Sequence, residues 1–293
     1  MKKKYKETII RLLILVFAFL TTIIVFGILY FLVSNGIRVF ENVSLREFFL
    51  SSRWFPTYED PEYGIFALFI GTLSVTGLTL MFSIPMSFAI AIYMSEYCSR
   101  QTRELMKFVF ELTAGIPSVV LGSFGLKYVS QWIMNIFPDA WTGLNILNAS
   151  LMLSILSMPY FVTFIEDALV SVPTDQREAS LALGASITKT VFRIVVPQAK
   201  SGILNAIILG TNRVIGETMV VLMVAGGAVM IPSSILDPVR PLTATIAGEM
   251  GEVELGSTHF HALFMIGVVL LIVSTLFTII AMKLKGGKVY EVG

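Results

Sequence analysis

Six apolar stretches, each about as long as a bilayer is thick, take up most of this chain and restrict it to one kind of fold. Residues 12–33 form 22 consecutive positions without a charge. As a helix rising about 1.5 Å per residue they cover about 33 Å, enough for the hydrocarbon core. Comparable stretches fall at roughly 64–94, 106–134, 149–170, 199–226 and 260–282. Lipid offers no partner to a backbone N–H or C=O, so segments this long and apolar specify helices that satisfy their own hydrogen bonds. A 55% hydrophobic content, 14% charge and a mean hydropathy of +0.81 exceed what the core of a soluble domain needs. The chain reads as an all-α integral membrane protein with six transmembrane helices.

Basic residues orient it. Lys2, Lys3, Lys4, Lys6 and Arg11 precede the first stretch. A cleaved secretory signal has an apolar region of about 7 to 15 residues and a small-residue cleavage site. The first stretch is longer and shows no such site, so it is expected to be a retained span. Lys and Arg resist translocation and collect on the cytoplasmic side. With the N-terminus inside, the cytoplasmic breaks hold fifteen of the 21 Lys and Arg; the external breaks hold only Arg38, Arg46, Arg53 and Arg240, and Lys127 and Arg213 fall within spans. Both termini are therefore expected in the cytoplasm.

The spans are not built alike. The first is Leu, Ile, Val and Phe with a single Gly27, as suits a helix facing lipid. From Gly64 onward small residues and prolines recur, among them Gly71, Gly77, Pro85, Gly115, Pro117, Ser118, Gly122, Pro159, Gly202 and Gly210. Small residues let helices approach closely, and proline breaks are tolerated where neighbours or a wet cavity satisfy the freed backbone. The expected organisation is a cytoplasmic tail and first transmembrane helix (1–33), an external linker with room for a short interfacial helix (34–63), a five-helix core (64–283) and a cytoplasmic tail (284–293).

Between the fourth and fifth stretches lies a polar break, 173–197, on the side that the charge count assigns to the cytoplasm. Pro173 and Asp175 mark a helix start, with Asp175 as N-cap and Glu178 three residues on in a capping-box arrangement. Gly184 ends that helix, a second begins at Ser186, and Pro197 marks the start of the fifth span. The result is a helix pair at the cytoplasmic surface presenting Leu181, Leu183 and Ala185 among charged neighbours. It suits docking into a partner's groove; an amphipathic return to the membrane is the other reading.

The spacing of Glu178, Ala179, Ser180, Gly184, Ile194 and Pro197 resembles the "EAA" coupling loop of ABC importer permeases, with Ser180 in place of the second Ala and Val196 in place of Leu. Residues 111–120, Glu-Leu-Thr-Ala-Gly-Ile-Pro-Ser-Val-Val, and 210–224, Gly-Thr-Asn-Arg-Val-Ile-Gly-Glu-Thr-Met-Val-Val-Leu-Met-Val, resemble the permeases of the high-affinity phosphate importer. Residues 219–224, 234–238 and 243–249 are similar to its PstC type of subunit more than to its PstA type; Gly248 stands where Asn is expected. The resemblance covers about residues 64–283. It implies a type I ABC importer permease fold in a prokaryotic cell (inner or plasma) membrane, forming half of a phosphate pathway. It also implies a second, PstA-like permease, two PstB-like ATP-binding subunits docking on Glu178, Ala179, Ser180, Gly184, Ile194 and Pro197, and an extracytoplasmic PstS-like phosphate-binding protein.

Within the spans, Arg213 and Glu217 carry the strongest chemical signal. An ionised Arg at a helix centre costs roughly 2.5 to 3.5 kcal/mol on insertion scales, so it must face the bundle interior and find a partner. Glu217, four residues on, lies on the same helix face. A guanidinium fork matches a tetrahedral oxyanion, and a nearby carboxylate moderates its grip; the same pair also serves as a brace between helices or subunits. The resemblance places Arg213, Glu217 and Thr218 in the substrate pathway, with Ser118 behind Pro117 as a further polar contributor. Glu111, Glu166 and Asp167, near cytoplasmic helix ends, read as solvated or interface-paired carboxylates, and His259 and His261 as interface polarity.

Absences narrow the function. No Gly-x-x-x-x-Gly-Lys-Ser/Thr loop occurs, so ATP and Mg²⁺ belong to a partner ATPase and the chain itself binds no cofactor. The single Cys98 excludes an intrachain disulfide, no metal-ligand spacing occurs, and no nucleophile has an adjacent base. The chain is expected to be a non-catalytic permease subunit, without affinity for nucleic acid. Its rivals are a permease for another oxyanion such as sulfate or molybdate, a carrier not driven by ATP, and a membrane scaffold.

Overall fold

The computed structural model describes residues 2–284; the rest of the expected C-terminal tail, 285–293, lies outside the described residues. Helix α1 (Lys2–Gly36) is followed by a 3₁₀ turn (Ile37–Glu41), the short helix α2 (Leu45–Leu50) and a two-stranded hairpin, β1 (Trp54–Phe55) with β2 (Glu62–Tyr63). Then come α3 (Phe66–Ile92), ending in a π turn (Tyr93–Tyr97), and α4 (Arg100–Ala114). Next is α5 (Ser118–Phe124), which runs through a π turn (Gly125–Val129) into α6 (Ser130–Ile136). The remainder is α7 (Ile146–Val170), α8 (Thr174–Ala182), α9 (Ile187–Thr190), a π turn (Val191–Val195), α10 (Val196–Ile215), α11 (Met219–Val224), α12 (Leu242–Glu249) and α13 (Thr258–Leu284).

Five helices among the described residues are long and apolar enough to cross a membrane, and a bent pair makes up to six where it counts as one span. The expected third span, 106–134, is that pair: Arg100–Ala114 meets Ser118–Ile136 at 85°. Proline supplies the reason, since Pro117 has no N–H to donate and pushes the residue before it out of the helical region. The first half, α4, turns its basic side toward α7, where Arg103 and Lys107 pair with the wholly buried Glu166. Leu105, Phe108, Val109 and Leu112 point outward.

Helix α1 stands apart from the other helices for most of its length. Its apolar side chains are exposed along most of its length, as lipid-facing residues are, and near its end it leans on α13 through Phe31 and Phe264, with ring centroids 5.4 Å apart. The core centres on α3 and α7, which pack along small polar faces. Ser150 Oγ donates to the Val75 carbonyl and Ser154 Oγ to the Thr79 carbonyl, each at 3.2 Å. Without a hydrophobic force between helices in lipid, close van der Waals approach and such bonds hold the bundle. Helix α10 closes on α7 because Gly202 and Gly210 leave room: a Cβ on Gly202 lies 2.6 Å from that of Ala168, and one on Gly210 overlaps the Phe161 ring. Gly210→Val is therefore expected to destabilise the bundle by about 1–3 kcal/mol through overpacking. Thermal unfolding of the detergent-purified chain, with Gly77→Val as a control that meets no neighbour within 4 Å, measures it.

The segment 34–63, expected to be an external linker, is structured rather than loose. Trp54 Nε1 donates to Glu249 Oε2 at 2.9 Å, and the same carboxylate takes Arg240 at 2.7 Å and His259 at 2.8 Å. One carboxylate thus joins the hairpin, α12 and the start of α13, and His259, expected as interface polarity, has a specific partner. In the external turn at 234–238, the backbone N–H groups of Ser233 and Ser234 donate to Asp237 Oδ2 at 2.7 and 2.8 Å and hold its carboxyl below the usual carboxylate range.

Candidate functional site

The polar break at 173–197 folds as two helices around a glycine. Helix α8 starts after Pro173 with no side-chain cap; Asp175, expected as the N-cap, sits in the first turn, where its charge still complements the helix dipole. At the other end Gly184 N–H donates to the Leu181 carbonyl at 2.9 Å and Ala185 N–H to the Ser180 carbonyl at 3.2 Å, with Gly184 at φ +83°. This is a Schellman ending, and it requires the left-handed conformation that glycine adopts without strain. Ser186 caps α9 by accepting from Lys189 N–H. Pro197 differs from expectation: α9 and α10 are one continuous helix, Ile187–Ile215, and Pro197 follows its π turn. A wider turn relieves the clash between a proline ring and the preceding carbonyls, so the helix survives it.

Ala179, Ser180, Gly184, Ile194 and Pro197 line one open groove of about 570 Å³, together with Leu183, Lys189 and Arg193. Glu178 is exposed outside that lining. Leu183 stands 90% exposed, although it lies at the polar end of the molecule. Ser180 is buried, its Oγ 2.9 Å from Thr190 Oγ1, so it fastens α8 to α9 rather than facing outward.

The second constellation lies where α10 gives way to α11. The expected fifth span breaks at 216–218, between α10 and α11, where Thr218 Oγ1 donates to the Gly216 carbonyl at 3.2 Å and Thr243 Oγ1 to the Glu217 carbonyl at 2.8 Å. Just before the break, Arg213 Nη1 lies 3.2 Å from Glu217 Oε2. The two side chains differ sharply in exposure, 43% for Arg213 and 6% for Glu217. Arg213 also stands 5.4 Å over the Tyr160 ring, a cation–π contact contributed by α7. Lipid is a costly neighbour for a guanidinium, so in a membrane-spanning chain its open side is expected to meet water or another protein.

Ser118 begins α5, which packs against α11 with Gly122 against Met223 and Gly125 against Val224. Sequence reading found Arg213, Glu217, Thr218 and Ser118 but missed Tyr160, whose only signal is a polar aromatic directly after Pro159. It also missed the long-range pairs Arg103–Glu166 and Glu96–Arg177.

The family model described as "binding-protein-dependent transport system inner membrane component" matches residues 83–286. A probable ABC transporter permease protein, YqgH, of Bacillus subtilis (strain 168) is 35% identical over 256 residues, covering 87% of this chain and 82% of that one. The phosphate transport system permease protein PstC of Haemophilus influenzae is 26% identical over 297 residues, covering 94% and 90%. Among solved structures, a bacterial ABC transporter involved in the import of the acidic polysaccharide alginate superposes with a TM-score of 0.63 at 16% identity, covering 92% of this chain and 94% of that one.

Proposed function

We propose that this chain, which belongs to the family of binding-protein-dependent transport system inner membrane components, is the PstC-type permease subunit of an ATP-driven importer for inorganic phosphate. Its fold is that of type I ABC importer permeases, and it is a multi-pass membrane protein. The single observation that carries the reading to an anion is Arg213, a half-exposed cation paired on one side with Glu217 beside a break in a membrane-spanning segment. The phosphate transport permeases to which the chain is similar support phosphate as that anion.

In this reading Arg213 meets the phosphate oxyanion, Glu217 limits how tightly it is held, and Tyr160 positions the guanidinium. Thr218 and Ser118, each at a helix break, add hydroxyls and freed backbone N–H groups. A PstA-like permease supplies the other half of the pathway and covers the exposed side of Arg213. The chain itself catalyses nothing and binds no cofactor. Two PstB-like subunits use ATP and Mg²⁺, dock on the groove between α8 and α9, and rock the bundle between its two openings as they close. A PstS-like protein delivers phosphate at the external face of the inner membrane.

Uptake of radiolabelled phosphate by cells with and without this chain, with sulfate and molybdate as competitors, tests the cargo. Uptake should depend on the chain and resist both competitors; competition by sulfate or molybdate would reassign the anion. A reporter fused after Ala185 should read as cytoplasmic. An external signal there would overturn the topology and the docking assignment together.

A further inference from the structure

We infer that Arg177 is a positioning residue that locks the coupling helix to the end of α3, so that α8, α7 and α3 move as one body when the ATPase pushes. The inference rests on the permease reading and adds to it the route by which the stroke enters the bundle. Arg177 lies on α8, one residue before Glu178. Its Nη2 donates to the Leu169 carbonyl, in the last turn of α7, at 2.7 Å and its Nη1 to the Val172 carbonyl, just past the end of that helix. The same fork holds Glu96, with Nη2 3.0 Å from Oε1 and Nε 3.3 Å from Oε2. One planar guanidinium therefore joins three helices, and lysine cannot reproduce that fork.

The covalent chain shows why this matters. Helix α8 follows directly on α7 and leads through Gly184 into the α9–α10 helix, so both receive its motion through the backbone. Helix α3 has no such connection. Beside the apolar contacts of Ala91 and Ile92 with Val191 and Val195, the side-chain hydrogen bonds that tie it to this loop among the described residues come from Glu96 and Tyr97, and Tyr97 reaches Thr188 through an exposed hydroxyl pair at 3.1 Å. Glu96 sits in the π turn that ends α3, a wide turn of the kind that shifts register easily. The pair is nearly enclosed, with Glu96 8% and Arg177 17% exposed, so solvent screens it little.

The test uses the complete complex, purified and reconstituted in vesicles with R177K, R177Q, E96Q or E96Q/R177Q in this chain. Phosphate moved per ATP hydrolysed and the amount of ATPase retained are read together. The single variants R177Q and E96Q should keep the ATPase but move about tenfold less phosphate per ATP, the factor for losing one charge-assisted hydrogen bond. R177K should fall between them and the unaltered protein, and the double variant should be no worse than R177Q. An unchanged ratio in both single variants, additive losses in the double, or loss of the ATPase itself would overturn the inference. Spin labels at Tyr93 and Ala185, with Cys98 replaced by Ser, give a readout independent of cargo. Their separation should stay constant through the ATP cycle in the unaltered protein and vary in R177Q, whereas a separation that varies equally in both would overturn the inference. A complex that cycles with a constant separation yet moves no phosphate would remove the cargo reading alone.

Discussion

Arg213→Gln is expected to lower phosphate uptake by roughly 10- to 150-fold, the effect of removing about 1.5–3 kcal/mol of charged hydrogen bonding to the anion. Two roles of Arg213 predict this loss, and a double variant separates them. Glu217 is 6% exposed, so losing Arg213 leaves a carboxylate enclosed without its counter-ion. If the pair is only a brace, replacing both residues removes that stranded charge and uptake should recover in Arg213→Gln/Glu217→Gln. If Arg213 meets the anion, the double variant should fold as well as the parent and still fail to transport. The 43% exposure of Arg213 favours the second outcome, because a brace gains from enclosure and this guanidinium is open on one side. A pair open on one side contributes only about 1 kcal/mol, so thermal unfolding of the double variant should shift little while its uptake collapses. Full uptake in both variants would make Arg213 dispensable to the pathway.

How legible this arrangement was depends on how far apart in sequence the partners lie. Arg213 and Glu217 are four residues apart on one helix, and helix geometry alone brings them together. Gly184 was legible for a similar reason: a glycine between two short helices marks a left-handed ending, and the structure gives it φ +83°. Glu166 was not. It lies 63 residues from Arg103, so a carboxylate read as solvated or interface-paired is in fact wholly buried and paired within the chain. Glu96 and Arg177, 81 residues apart, escaped the same way. The third span was half legible. Pro117 announced the break, but apolar content runs on through Gly115 and Ile116, and hydropathy does not register an 85° change of direction. Pro197 misled because proline commonly opens a helix, whereas a π turn lets one already under way continue through it.

Leu183 carries the second large expectation. A leucine 90% exposed among charged residues, on the side that fifteen Lys and Arg assign to the cytoplasm, presents apolar surface that becomes stable when a partner covers it. Covering a leucine fully contributes about 1.5–3 kcal/mol, so Leu183→Ala should weaken ATPase binding by roughly 10- to 150-fold. Leu183→Arg should abolish binding, since a docked arginine would be desolvated without a counter-ion. Gly184→Val tests the backbone behind it. A Cβ there meets nothing within 4 Å in this chain, so any loss arises from the left-handed conformation, which costs an L-residue about 1–2 kcal/mol and a β-branched one more. Relieving that strain would unwind the Schellman ending and swing Leu183 away from the groove. Co-purification of the tagged chain with its ATPase reads each effect, while membrane insertion and the position of the reporter after Ala185 should stay as in the parent. Undiminished ATPase recovery with Leu183→Arg would place the docking surface elsewhere, and recovery with Gly184→Val would mean that the turn need not be rigid to receive the stroke.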